Sequence, residues 1–330
     1  MLVADKTVVK TSQNPQVLKA TPSALAVNTS LNPLSISAMR EKSYPGSDIK
    51  IVQTLSPGSN YNQYIASYQS DGLTIYGLLT VPMGQPPKGG WPAIIFNHGY
   101  IPPEQYVTTQ RYVAYVAAFA ENGYVVFKSD YRGNGNSQGN PESAYFSPAY
   151  ATDVLNAIAS VKKLSYVNQN KIGMWGHSMG GNITIRALAV DPKDIKAVVI
   201  WGGVVGDYND IIYHWRRSVP YVPSTKELAN RNMGRQKLLS EYGTLSQNPT
   251  FWNSIDPTAH LSSITAPVQL DVGGADQEVP VAFSQSLYQK LKSMNKNVEF
   301  YEYPGSDHNI SQGFDLAMQR SLNFFNKYLK

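Results

Sequence analysis

The stretch KIGMWGHSMGGNITIRALAV, Lys171 to Val190, decides the fold. Lys171 to Trp175 is a short apolar run with β-branched Ile172, enough for one buried parallel strand. Met179 to Val190 sets apolar residues at helical spacing and meets no proline before Pro192. Between them Gly176-His177-Ser178-Met179-Gly180 must turn the chain directly from strand to helix. Such a turn brings the residues two before and two after the serine too close to their neighbours for a Cβ, which is why both are glycine. The serine is then held in a strained backbone conformation. Its hydroxyl is expected at the carboxyl end of a strand, beside the positive end of a helix.

Working outward, the same alternation recurs. Ala93 to Asn97 reads as a buried strand, Thr108 to Glu121 as a helix, Tyr124 to Lys128 as a strand and Pro148 to Lys163 as a helix. After the quoted stretch come strand-like Ile195 to Trp201, strand-like Pro267 to Val272, helical Pro280 to Met294, strand-like Val298 to Tyr303 and helical Phe314 to Leu329. Strands alternating with helices imply a parallel sheet covered on both faces. Ligands bind such a sheet beyond the carboxyl ends of its strands. Ahead of this region lie three strand-like runs, Ile49 to Leu55, Tyr61 to Gln69 and Leu73 to Val81, the last two joined by an Asp71-Gly72 hairpin turn. Residues 1–47, rich in Thr, Ser, Asn, Pro and Lys, read as a tail, extended or partly docked. The expected organisation is that tail followed by one α/β domain over 48–330. One segment interrupts the alternation: 206–264 is much longer than an ordinary connection and carries Tyr208, Tyr213, Trp215, Tyr221, Tyr242, Phe251 and Trp252, with helical patches at Thr225 to Asn230 and Arg235 to Tyr242. It reads as a helical cap inserted over the carboxyl edge of the sheet, most of its aromatics forming its own small core.

The 330 residues are enough to bury a sizeable core, and a 15% share of charged residues describes an ordinary globular protein. The net charge of +5 is modest and not clustered in lysine or arginine blocks, so no nucleic-acid partner is expected. There is no cysteine, which excludes disulfides, thiolate metal sites and thiol catalysis. No H-x-x-x-H or H-E-x-x-H spacing occurs, and neither a metal nor an organic cofactor is expected. No run of eighteen apolar residues is present, so no membrane span is expected. Met1 to Asp5 lacks the apolar core of a signal peptide. The compartment stays open, export being favoured over the cytoplasm, and a monomer or homodimer is expected.

A serine hydroxyl attacks only with a base in reach and an acid to orient that base. Of five histidines, His98, His177, His214, His260 and His308, only His308 lies in a loop after the last strand and before the final helix. The acid should follow the preceding strand, where Asp276 sits in a glycine-rich turn; Asp271, inside the strand, and Glu278 rank below it. The developing oxyanion needs donors, and the backbone amides of Met179 and Tyr100 are the candidates. His98 is expected to hydrogen-bond within its own loop. Candidate substrate contacts are Tyr100, Trp201, Tyr208 and Trp215. Glycosylation patterns occur at Asn28, Asn182 and Asn309, the latter two reading as chance matches beside the site.

These residues resemble an α/β-hydrolase of the prolyl-oligopeptidase-like (S9-type) group, which includes acylaminoacyl peptidases and related esterases. The resemblance covers about residues 50–330 and rests on Gly176 to Gly181, the loop Asp130-Tyr131-Arg132-Gly133 to Gly139, Asp153, Asp276 with Val279-Pro280, and His308. It implies an α/β-hydrolase fold, a Ser178–Asp276–His308 triad, and structural roles for Arg132 and Asp153. Two departures shift the expectation from peptidase toward esterase: a single glycine in His98-Gly99-Tyr100, and no β-propeller ahead of the domain. The expected activity is hydrolysis of carboxylic esters through an acyl-enzyme, with a small-molecule ester, feruloyl- or polyester-type among others, as substrate. The alternative is a serine aminopeptidase or acyl-peptide hydrolase acting on a short peptide. A binding module with a spent site is disfavoured by the presence of all three triad candidates.

Overall fold

The computed structural model describes Met1, residues 31–217 and residues 225–330, the side chains of 225–233 excepted. The chain divides into units Met1–Leu31 and Asn32–Lys330, and the second carries everything that follows. Most of the tail, Asn28 included, and Tyr221 of the inserted segment therefore lie outside the described residues. Part of the tail reading is corrected. Residues 32–47 belong to the second unit, and Ile36–Glu41 forms a helix (α1) capped by the Ser35 hydroxyl, with Ile36 and Met39 fully buried. Six residues leave too short a periodic signal to be seen in advance.

The sheet elements follow as β1 (Lys50–Thr54), β2 (Tyr61–Ser70), β3 (Leu73–Pro82), β4 (Trp91–Asn97), β5 (Val125–Ser129), β6 (Val167–His177), β7 (Ala197–Trp201), β8 (Val268–Gly273) and β9 (Val298–Tyr303). The main helices are α2 (Val113–Glu121), α3 (Ala149–Val161), α4 (Met179–Val190), α5 (Thr225–Tyr242), α6 (Pro249–Ile255), α7 (Val281–Ser293) and α8 (Phe314–Leu329). The strands form a single sheet in the order β1-β2-β3-β5-β4-β6-β7-β8-β9. β1, β2 and β3 pair antiparallel with their neighbours, and every pairing from β5 through β9 is parallel. The fold is that of an α/β-hydrolase. The β2–β3 hairpin closes with Ser70 opposite Leu73, and Asp71 and Gly72 take φ of +50° and +76°, the two left-handed positions a two-residue turn requires.

Strand order fixes the site. From β4 the chain crosses to β5 on one side and then returns to β6 on the other, so the loops after β4 and β6 diverge at a topological switch point. Asn97 and Gly176, the last pair of that register, stand side by side there. Each sheet face is sealed by its own apolar cluster. Ile172, Met174, Val154, Ile158, Ile183 and Leu287 pack on one, while Trp175, Phe119, Trp201, Phe324 and Phe325 pack on the other. Alternation along β6 sends Ile172 and Met174 one way and Trp175 the other, as strand geometry demands. A fully buried side chain of this size stabilises the fold by about 1.5–3 kcal/mol. Gly173 permits the close approach of α8, since a Cβ there would meet Phe325 and Leu329 at 2.8 Å.

Between β7 and β8 the chain leaves the sheet through the segment read from sequence as a cap. Asp210–His214 is a π-helical turn, α5 and α6 follow, and Pro257–Ser263 is a 3₁₀ segment. Tyr208, Ile212, Leu238, Phe251, Trp252 and Ile255 form its own small core. Two local expectations change. The patches at Thr225 to Asn230 and Arg235 to Tyr242 are one helix, α5, because a mid-helix glycine such as Gly234 costs only about 1 kcal/mol and does not break it. The helix expected from Thr108 begins at Val113, because Arg111 and Tyr112 both take left-handed backbone, φ +57° and +56°. Left-handed non-glycine residues cost roughly 1–2 kcal/mol each, and Ser178 and Ile310, both at φ +55°, lie on loops around the same site.

Candidate active site

The turn after β6 is built as its glycines predict. Ser178 sits at φ +55° and ψ −119°, with its N–H donating to Trp201 O across to β7 at 3.1 Å. A Cβ on Gly176 would meet Thr184 Oγ1 at 2.4 Å, and one on Gly180 would meet Asn97 O at 1.9 Å. The serine is thus wedged between the ends of β4 and β7, half-buried, and Met179 begins α4. The amides of a helix's first turn have no intrahelical partner, which leaves the Met179 N–H pointing out of the helix start.

The loop after β9 carries His308, 6% exposed. Its Nδ1 lies 2.7 Å from Asp276 Oδ2. The other carboxylate oxygen of Asp276 accepts from the amides of Glu278 at 2.8 Å and Val279 at 2.9 Å, which orients the acid in its turn. The neighbouring acids are used elsewhere. Asp271 is wholly buried within β8, bonded to Gln269 and Tyr303 and pushed up to about 7 by burial. Asp307 accepts from Asn309, Ser311 and the Ser311 hydroxyl, which closes the short turn after the histidine. The His308 imidazole lies beside the serine turn, its ring centre 4.6 Å from that of His177, and Gly202 just after β7 leaves room for it, since a Cβ there would meet its Nδ1 at 3.1 Å.

The loop after β4 passes Gly99 against the serine, a Cβ on Gly99 falling 3.2 Å from Ser178 Cβ. The Gly99 N–H donates to Tyr112 Oη at 2.9 Å and is thereby committed, so Tyr100 supplies the next amide of that loop. His98 bonds inside the loop, Nδ1 to Gly99 O at 2.7 Å, and stacks on Tyr131. Burial, with the Lys128 charge nearby, pushes it down to about 3, so it stays neutral. Below it Lys128 is fully buried and lowered to about 8 by burial, its ammonium donating to Gln110 O at 3.1 Å. Asp130 accepts from the hydroxyls of Tyr106 and Thr108 and is raised by burial to about 6. These bonds tie the 106–110 loop to the end of β5. Arg132 and Asp153 form a buried pair: the guanidinium donates through Nη2 at 2.7 Å and Nε at 3.0 Å, and the Ser70 hydroxyl completes the carboxylate. Burial raises Asp153 above its ordinary range despite that partner.

Two candidate substrate contacts are corrected. Trp201 is 0% exposed, its indole N–H donating to Ser321 Oγ at 3.0 Å on the α8 face of the sheet. The last residue of a buried strand points into a helix layer as readily as into a cleft, and here the helix layer takes it. Tyr208 is 4% exposed, stacked on Phe146, its hydroxyl donating to Tyr145 O and accepting from Arg186. It belongs to the cap core. Tyr100 and Trp215 are half-buried. Trp215 donates its indole N–H to Glu278 O at 2.8 Å and meets Tyr145 edge-on at 5.6 Å, while Arg217 pairs with the Glu278 carboxylate, so the cap descends onto the turn that holds Asp276. Neither Tyr112 nor His177 carries a sequence signal for a place in this network. Only the left-handed backbone at Tyr112 marks it, and a sequence does not display that.

A family model described as the prolyl oligopeptidase family matches residues 110–330, about two thirds of the chain. The chain is 28% identical over 255 residues to an uncharacterized peptidase, YtmA, of Bacillus subtilis, covering 77% of this chain and 88% of that protein. Among solved structures it is similar to an acetyl xylan esterase from Paenibacillus sp. R4, with a TM-score of 0.65, 20% identity, and coverage of 89% of this chain and 92% of that one. It is likewise similar to the dipeptidyl peptidase 4 of Porphyromonas gingivalis, with a TM-score of 0.63 and 19% identity, covering 82% of this chain and 36% of that one. No helix among the described residues is long and apolar enough to cross a membrane.

Proposed function

The chain belongs to the prolyl oligopeptidase family of hydrolases, and from that premise we propose that it cleaves carboxylic esters by acyl transfer to Ser178. The observation that carries the proposal is the 2.7 Å bond from His308 to Asp276, with His308 packed beside the strained serine turn. Asp276 accepts the Nδ1 proton and so leaves Nε2 bare, the tautomer able to take a proton from a hydroxyl. Ser178 attacks the ester carbonyl, and its proton passes to His308. The amides of Met179 and Tyr100 hold the oxyanion. His308 then protonates the departing alcohol. Water, deprotonated by the same imidazole, cleaves the acyl-enzyme and regenerates the serine. Tyr100 and Trp215 flank the acyl or alcohol group, giving a preference for apolar or aromatic esters. The acetyl xylan esterase, similar along nearly its whole length, supports the ester reading.

A second reading, hydrolysis of short peptides by the same three residues, is favoured by the likeness to a protein described as a peptidase. One comparison decides. Paired substrates that differ only in an ester or amide at the scissile bond are turned over by wild type and Ser178→Ala. The ester reading expects the ester to be cleaved at least about 10³-fold faster, and Ser178→Ala to lose both activities. An amide rate within tenfold of the ester rate would transfer the assignment to peptidase, and full activity in Ser178→Ala would end both.

A further inference from the structure

One hydrogen-bonded chain runs through all three loops of the site without touching the reacting atoms. Gly99 N–H, in the loop after β4, donates to Tyr112 Oη at 2.9 Å. Tyr112 Oη lies 2.7 Å from His177 Nδ1, and His177 Nε2 lies 3.1 Å from His308 O. Chemistry assigns every proton. The carbonyl of His308 only accepts, so His177 carries its proton on Nε2. His177 is neutral, because burial and the neighbouring imidazole of His308 push it down to about 3, so its Nδ1 is bare and accepts from the tyrosine hydroxyl. The tyrosine's oxygen then has a lone pair for the glycine amide. We propose that Tyr112 and His177 act as a positioning pair, tying the oxyanion loop, the serine turn and the histidine loop into one register. The proposal rests on the reading of Ser178, His308 and Asp276 given above.

Two further observations support it. Arg111 and Tyr112 hold consecutive left-handed backbone conformations, and strain of this kind persists where the surroundings enforce a particular placement. The placement packs the tyrosine ring against Phe96 and Trp175 and delivers its hydroxyl to Gly99 and His177. In addition, the chain reaches His308 by its backbone and leaves the imidazole free to bond Asp276. The imidazole and the carbonyl of one residue are thus held by separate partners, which limits how that residue rotates. The Gly99 N–H bond holds the His98–Gly99 peptide, and the Gly99 carbonyl, 2.7 Å from His98 Nδ1, holds the following peptide that carries the Tyr100 N–H.

The test is Tyr112→Phe, which keeps the ring packing and deletes the hydroxyl. Loss of registry of this kind lowers kcat roughly 10- to 100-fold, with KM for a p-nitrophenyl ester within about twofold. Affinity for an alkylboronic acid, which forms a tetrahedral adduct on the serine, should fall by the same factor, since it reads the aligned site and a merely structural role would leave it alone. His177→Leu should match Tyr112→Phe, while His177→Gln, able both to accept from the tyrosine and to donate to the carbonyl, should recover most of the loss. Unchanged kcat and boronate affinity in a folded Tyr112→Phe overturns the proposal. If that variant does not fold, histidine nitrogen NMR of the wild type decides instead: a proton on Nε2 of His177 supports the chain, and one on Nδ1 overturns it. Ser178→Ala, run in parallel, separates the two levels. An inactive Ser178→Ala beside a fully active Tyr112→Phe removes only the positioning pair, whereas an active Ser178→Ala removes the underlying site.

Discussion

Replacing Asp276 by asparagine is nearly isosteric, and the structure says which way the amide must face. Oδ1 of Asp276 is approached by two donors, the N–H groups of Glu278 and Val279, at 2.8 and 2.9 Å. Both are backbone groups and neither can turn into an acceptor. In Asp276→Asn the carbonyl oxygen therefore takes the Oδ1 position, because the alternative sets an NH₂ against two N–H groups and leaves three donors unpaired. The NH₂ then occupies the Oδ2 position, 2.7 Å from His308 Nδ1. Facing a donor, Nδ1 must be bare, and the neutral imidazole shifts its proton to Nε2. That tautomer cannot accept a proton from Ser178. A fixed wrong tautomer costs a triad hydrolase about 10⁴ in kcat, or about 5.4 kcal/mol of barrier. Steady-state hydrolysis of a p-nitrophenyl ester measures it, with circular dichroism and thermal melting checking that the fold is intact. Binding should change far less, since the acid touches the histidine and not the substrate. A folded Asp276→Asn keeping more than a tenth of wild-type kcat would refute the assignment of Asp276 as the orienting acid.

Arg132→Met breaks the buried pair with Asp153 and strands a fully buried carboxylate, which should cost about 3–5 kcal/mol in urea unfolding at pH 7.5. Burial already raises Asp153, and removing the cation raises it further. The folded variant then binds a proton more readily than the unfolded chain, so the loss is largest above the folded pKa and shrinks as pH falls through it toward the ordinary carboxylate range. A loss that stays constant from pH 7.5 to pH 5 would contradict this. The paired glycine changes separate tight from open positions. Gly180→Ala puts a Cβ 1.9 Å from Asn97 O, where the backbone of β4 cannot withdraw, and should lose soluble expression or at least 10²-fold in activity through displacement of the serine. Gly234→Ala, whose nearest foreign atom would be 3.6 Å away, should raise stability by about 0.5–1 kcal/mol through helix propensity.

Much of this architecture is legible in the chain because its signals are local. Met179–Val190 and Phe314–Leu329 carry helical periodicity to both ends, and the helices observed share those bounds. Ser178, Asp276 and His308 follow the ends of β6, β8 and β9, so the order of the strands alone brings these positions to one end of the sheet. What escaped was whatever depends on the direction of a side chain or on a dihedral. Trp201 and Tyr208 are aromatic residues near the right loops, yet one turns into the α8 layer and the other into the cap core, a choice made by packing partners more than a hundred residues away for Trp201 and at Arg186 and Phe146 for Tyr208. The helix α1 is held by burial of Ile36 and Met39 rather than by its six residues' propensity. Tyr112 was invisible for a third reason: its hydroxyl reaches Gly99 and His177 only because two successive residues bend left-handed, against what their types prefer.

Glu278 joins the cap to the acid through three different groups of one residue. Its N–H donates to Asp276, its carbonyl accepts from Trp215, and its carboxylate pairs with Arg217. Whatever lifts residues 215–217 to widen access therefore pulls on the peptide that seats the acid, so admission of a bulky substrate and alignment of the imidazole draw on the same mechanical linkage. Under the proposed mechanism, broad substrate range and fast turnover would then oppose each other, and loosening either tether at Glu278 is expected to exchange one for the other.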